Sequence, residues 1–141
     1  MKMEIEKIHP DVPVPKMAYD DDAAFDLYAA EDVEFAPGQR RQVPTGLKIA
    51  IPRGYVGLIR DRSSVAWKQG LTTLAGVIDS GYRGEWLVVL LNTSRETVRI
   101  AKHTRIAQFL VLPVAQPEIQ VVEKVGESSR GEGGFGSSGQ H

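Results

Sequence analysis

"EWLVVLLN", residues 85–92, is apolar at nearly every position. A strand with apolar side chains on both faces needs cover on both. One small sandwich rarely supplies that much, so the stretch implies a β fold that associates with itself. "TRIAQFLVLP", residues 104–113, repeats the pattern with Gln108 among apolar neighbours, and "PEIQVVEKV", residues 117–125, reads as a last strand. Upstream, "VPTGLKIAIPRGYVGLIRDRS", residues 43–63, predicts a strand around Leu47 to Ile51, a turn at Pro52 to Gly54 and a second strand from Tyr55 to Arg60, a pair resembling a hairpin. No helical stripe of several turns interrupts these runs. Short strands bounded by Pro and Gly predict an all-β chain, a jelly roll or related sandwich.

The 141 residues suit one domain. Hydrophobic content of 42%, charged content of 25% and a net charge of -1 exclude the global basicity of a nucleic-acid binder, so no stable nucleic-acid binding is expected. With no cysteine the chain has no disulfide and no thiolate metal site. The opening "MKMEIEKIHPDVPVP" has no apolar run of signal-peptide length, and nothing approaches the roughly 20 apolar residues of a membrane span. A cytoplasmic protein with no membrane contact is expected. From Gly126 onward composition turns to Gly and Ser, which divides the chain into a β domain, residues 1–125, and a flexible tail, residues 126–141. That tail, "RGEGGFGSSG" at 130–139, carries one Arg and one Phe.

Three stretches hold groups suited to chemistry. In "DRSS", residues 61–64, Arg62 can grip phosphate oxygens while Ser63, Ser64 and the backbone N–H groups after them donate to the same oxygens; equally, the serines can cap "VAWKQG". In "AGVIDSGYRGEW", residues 75–86, Ser80-Gly81 reads as a hairpin turn with Gly81 at positive φ and Asp79 opposite Tyr82. Asp79, flanked by Val77, Ile78 and Tyr82, is either a satisfied structural carboxylate or an acid that orients a water or sugar hydroxyl in a dry pocket. In "AAFDLYAA", residues 23–30, Asp26 reads as an Asx turn or strand-end carboxylate. Gln108 alone reads as a buried amide satisfied by backbone. His9, His103 and His141 have no ligand-like spacing, and no P-loop or G-x-G-x-x-G is present.

Taken in order, "AAFDLYAA", "DRSSVAWKQGL", "AGVIDSGYRGEW", "RIAQFLV" and "RGEGGFGSSG" resemble the five motifs of the homotrimeric dUTPase family, from about Ala23 to Gly139. The resemblance implies a jelly-roll-like trimer with shared active sites that hydrolyses dUTP to dUMP and pyrophosphate with Mg2+. It thereby limits uracil in DNA and supplies dUMP for thymidylate. It implies that Gly76, Val77, Ile78 and Leu87 frame the uracil, that Tyr82 packs under the sugar and excludes a 2'-hydroxyl, and that Asp79 contacts the 3'-hydroxyl and positions the attacking water. Arg62, Ser63, Ser64 and Gln108 would hold the phosphates from a second subunit, with Asp26 touching the magnesium through water. The tail would close as a lid, Phe135 stacking on uracil, Arg130 reaching the γ-phosphate, and Gly136, Ser137 and Ser138 lying against the substrate.

The chain departs from the usual family pattern at Gly81, where an acid is common, at Ala24, where Gly is usual, and at Ser64, where Gly is frequent. Two other activities fit the same fold. A dCTP deaminase needs a glutamate on the strand after the Asp79 turn, near Val89, where this chain is apolar. A non-catalytic dUTP-binding regulator would not require Asp79 and the tail.

Overall fold

The computed structural model describes residues 1–139; Gln140 and His141, the last two of the expected lid, lie outside the described residues. Ten strands and one short helix build it: β1 (Glu4–Lys7), β2 (Phe25–Tyr28), β3 (Val33–Phe35), β4 (Arg40–Ala50), β5 (Tyr55–Asp61), α1 (Ser63–Gln69), β6 (Leu71–Leu74), β7 (Val77–Ile78), β8 (Glu85–Asn92), β9 (Val98–Ile100) and β10 (Arg105–Pro113). Two four-stranded antiparallel sheets, ordered β1-β4-β8-β6 and β2-β10-β5-β7, form the fold, with β3 and β9 as a separate ribbon. Among the described residues no helix is long and apolar enough to cross a membrane.

The core lies where side chains of the two sheets meet. Trp86 of β8 is fully buried and stands edge-on to Phe109 of β10, ring centroids 4.9 Å apart, while Phe109 stacks on Phe25 at 5.4 Å. Both contacts fall in the favourable range for aromatic pairs. The Trp86 Nε1–H donates to the Ile49 carbonyl at 3.1 Å, so its one polar atom is satisfied. Gly57 on β5 makes the room: a Cβ there would sit 2.8 Å from Trp86 Cη2.

Three expectations change. The strands flanking Pro52–Gly54 exist but form no hairpin, because β4 pairs with β1 and β8 while β5 pairs with β10 and β7. The turn carries the chain from one sheet to the other. "PEIQVVEKV" forms no strand; Ile119, Val121 and Val125 are exposed along an irregular run after Pro113 that pairs with neither sheet. Strand β8 alternates in burial: Trp86, Val88 and Leu90 point inward, whereas Leu87 is exposed and Val89 and Leu91 are half-buried. Its outer apolar face therefore has no full cover within one chain.

Candidate active site

The first of two clefts is built around the passage from β6 to β7. The chain crosses between sheets through Ala75 and Gly76, both at positive φ (58° and 99°). A Cβ at Gly76 would lie 2.9 Å from the Ile59 carbonyl oxygen, and the Gly76 carbonyl itself accepts the Ile59 N–H at 2.8 Å. Glycine is needed there for both conformation and clearance. The two residues of β7 pair with Gly57 and Leu58, and the Tyr82 N–H then donates to the Asp79 carbonyl at 3.1 Å, closing a turn over Ser80 and Gly81. Gly81 is not at positive φ, and β7 and β8 belong to different sheets, so this is a corner rather than the expected hairpin.

Tyr82 is held in place from behind. Its hydroxyl donates to the Glu85 carbonyl at 2.9 Å, and its ring lies so close to Gly84 that a Cβ there would come within 2.6 Å of Cζ. Asp79, Tyr82, Val77, Ile78 and Leu87 together line a cleft of about 260 Å³, completed by Gln42, Glu85 and Val89. Asp79 is exposed rather than enclosed in a dry pocket, because no described residue of its own chain covers the cleft.

The second cleft centres on Arg62. β5 runs directly into α1, whose N-cap is Arg62; no side chain caps the helix, so the serines do not serve that purpose. Asp26 on β2 is buried, and the Arg62 Nε lies 3.0 Å from its Oδ1. Gln108 stands opposite Asp26 in the β2–β10 register and donates from Nε2 to the Asp61 carbonyl at 2.8 Å, the backbone partner expected of it. Asp26, Arg62, Ser63 and Gln108 line one small recess with Ala18, Asp22 and Ala24, while Ser64 lines the larger hollow beside it, which also includes Asp26 and Arg62. The guanidinium, the hydroxyls and the amide can donate to phosphate oxygens, while the Asp26 carboxylate holds the guanidinium in place.

The two clefts share no lining residue. The tail reaches neither: Phe135 is fully exposed, Arg130 donates to the Gly133 carbonyl, and Gly136, Ser137 and Ser138 lie in a turn at the surface. Sequence reasoning overlooked Asp61, whose carboxylate ties β5 to Thr72 and Thr73 of β6, and Arg105, whose Nη1 lies 3.4 Å from Asp26 Oδ2. It also overlooked Gln42 and Glu85, although strand alternation places Glu85, Leu87 and Val89 on one face.

An apolar slot edged by two acids, Asp79 and Glu85, and a separate recess holding a guanidinium, a hydroxyl and an amide, on an antiparallel sandwich, define a class of protein suited to a nucleoside polyphosphate. The dUTPase family model matches residues 10–139. The deoxyuridine 5'-triphosphate nucleotidohydrolase of Mycolicibacterium gilvum is 46% identical over 99% of this chain and 96% of that one. A staphylococcal phage 80alpha dUTPase with dUpNHpp superposes with TM-score 0.93 at 30% identity, covering 99% of each chain. A Staphylococcus aureus phage phi11 dUTPase, described with a structural Mg(II) ion, shares the fold at TM-score 0.84 and 24% identity over 90% of this chain and all of that one. The chain belongs to the dUTPase family.

Proposed function

We propose that this chain hydrolyses dUTP to dUMP and pyrophosphate by attack of water on the α-phosphorus, in a homotrimer whose sites are assembled from the two clefts of different copies. The observation that carries the reading is the separation of the Asp79–Tyr82 slot from the Arg62–Ser63 recess on one chain, each open and each incomplete. Apposing the apolar outer face of β8 to a second copy would cover Leu87, Val89 and Leu91 and bring the two half-sites together.

Uracil enters the slot against the main chain of Gly76 to Asp79 and the side of Leu87, and the sugar rests on Tyr82. Because the Tyr82 ring is pinned by Glu85 and Gly84, it cannot retreat from an added 2'-hydroxyl. Steric refusal is needed, since an apolar pocket alone rejects an extra hydroxyl by only about a hundredfold. Asp79 accepts the proton of the attacking water as the general base. Arg62, Ser63, Ser64 and Gln108 hold the phosphates in line for displacement.

Among the described residues no group of three or more acidic or histidine side chains is placed to cage a metal. The Asp26 carboxylate, which lines the phosphate recess with Asp22, fits Mg2+ that arrives on the triphosphate and keeps most of its waters. When bound, that ion would neutralise charge developing on the pyrophosphate. The tail from Gly126 acts as the lid, with Phe135 on the base and Arg130, Gly136, Ser137 and Ser138 toward the phosphates, which would exclude water from the slot. A free nucleotide substrate suits a cytoplasmic setting, where the reaction limits dUTP and supplies dUMP.

Val89 faces the slot, so the glutamate that a dCTP deaminase needs there is missing. Incubation with dUTP, dTTP, dCTP or UTP and magnesium, assayed separately for pyrophosphate and for base deamination, tests the reading. Pyrophosphate from dUTP alone supports it; deamination of dCTP, or dUTP binding without turnover, refutes it.

A further inference from the structure

A β-bulge aims Arg105 at Asp26. Along the β10–β2 pair, Gln108 faces Asp26 and Ala107 faces Leu27, but it is Arg105 rather than Ile106 that faces Tyr28. Regular alternation would turn Ile106 outward with Gln108 and Arg105 inward with Ala107. The extra residue reverses this. Ile106 and Ala107 are both fully buried, and Arg105 emerges on the face that carries Asp26, Tyr28 and Gln108.

Asp26 therefore holds two guanidiniums, Arg62 Nε on Oδ1 at 3.0 Å and Arg105 Nη1 on Oδ2 at 3.4 Å. Their positions differ in kind. Arg62 begins α1 and lines the small recess with Ser63, whereas Arg105 lines only the larger hollow beside it.

We propose that Arg105 is a positioning residue that keeps Asp26 compensated while Arg62 turns from Asp26 to a phosphate oxygen of the substrate. The inference rests on the reading that Arg62 receives the triphosphate. Breaking a buried pair by withdrawing one partner leaves a costly uncompensated charge. With Arg105 on the second oxygen, Arg62 can exchange partners without stranding the carboxylate. Without Arg105, Arg62 becomes the sole counterion of Asp26 and is less free to engage phosphate.

The experiment is a double-mutant cycle in the full-length protein. Arg105→Met, Arg105→Lys and Asp26→Asn are made singly, and Arg105→Met is also combined with Asp26→Asn. Each is measured for affinity to the non-hydrolysable dUpNHpp by titration calorimetry, for kcat and KM with dUTP, and for melting temperature. Loss of a partner that orients a metal-ligating side chain typically costs about 10- to 100-fold, and the same order is expected for a partner that holds Asp26. Arg105→Met should weaken dUpNHpp binding and lower kcat/KM within that range. Arg105→Lys should recover most of the loss, because a single monodentate contact asks only for a point charge. In the Asp26→Asn background Arg105→Met should change dUpNHpp affinity by no more than about twofold.

Equal loss in both backgrounds overturns the proposal, since Arg105 would then contact the substrate itself. So does a loss within twofold of the parent. If Arg105→Met does not fold, Arg105→Gln takes its place: a loss of affinity of about tenfold to a hundredfold that Arg105→Lys restores supports the proposal, and near-parental affinity in Arg105→Gln, or a loss of about tenfold in Arg105→Lys at unchanged melting temperature, overturns it. A parent that binds dUpNHpp but does not turn over dUTP contradicts the proposed function and leaves the binding cycle to judge Arg105.

Discussion

Asp61 closes β5 one residue before Arg62, and replacing it by alanine should loosen both the fold and the phosphate recess. Its Oδ1 accepts the Thr73 N–H and the Thr73 hydroxyl, each at 2.6 Å, and its Oδ2 accepts the Thr72 hydroxyl at 2.7 Å. A net contribution of about 1 kcal/mol per bond, the ordinary value rather than that of a charged acceptor because the group is only half-buried, gives about 3 kcal/mol lost in Asp61→Ala. Asp61→Asn should cost only about 1 kcal/mol, because its carbonyl can take both Thr73 donors while its amide donates to the Thr72 hydroxyl, which also accepts. Burial raises the Asp61 carboxyl, but the hydrogen bonds from Thr72 and Thr73 outweigh it and hold the pKa below the ordinary 3.8. Its stabilisation is thus complete above the unfolded value of about 3.9 and is lost as pH falls through the lower folded value. Urea unfolding of the parent and both variants at pH 7, repeated below pH 4, is the assay. The advantage of the parent over Asp61→Asn should shrink at the acid end. Equal destabilisation by Ala and Asn, or less than about 1 kcal/mol for Ala, would refute the hydrogen-bond account.

Asp79→Asn should bind dUpNHpp as the parent does yet lose about 100- to 10,000-fold in kcat, because an amide cannot accept the water's proton; turnover within a few-fold would remove Asp79 as the base. Tyr82→Ala should raise kcat/KM for UTP relative to dUTP, and an unchanged ratio would place the sugar gate elsewhere. Truncation after Val125 should leave the melting temperature within a few degrees while kcat/KM collapses, and Phe135→Ala alone should cost roughly tenfold to a hundredfold, the kinetic equivalent of about 1 to 3 kcal/mol of base stacking. Parental kcat/KM in the truncated protein would dismiss the lid.

Much of the sandwich was legible because strand-forming runs announce themselves by short apolar stretches between Pro and Gly; β4, β5, β8 and β10 all fall where those runs do. Pairing was less legible. Pro52–Gly54 looks the same in sequence whether the flanking strands pair with each other or pass to different sheets, and burying Trp86 against Phe109 across the sandwich requires the second. The chain passes from one sheet to the other both before and after β7, and positive φ falls at the first passage, Ala75 and Gly76, rather than at Gly81 in the second. The strand expected at 117–125 has the composition of one, but the segment pairs with neither sheet and leaves Ile119 and Val121 exposed. Arg62, Ser63, Gln108 and Asp26 do converge, and so do Asp79, Tyr82 and Leu87. Arg105 could not be read in advance, since ordinary alternation assigns it to the wrong face and only the bulge corrects it.

A site made from two clefts of different copies is tested most directly by mixing two inactive variants. Asp79→Asn and Arg62→Ala, each purified, unfolded and then refolded together in equal amounts, should form mixed trimers in which about a quarter of sites pair an intact Asp79 with an intact Arg62 from the neighbour. The account predicts that dUTP hydrolysis rises to about a quarter of the parental rate. Activity no higher than that of the two variants refolded separately would contradict it.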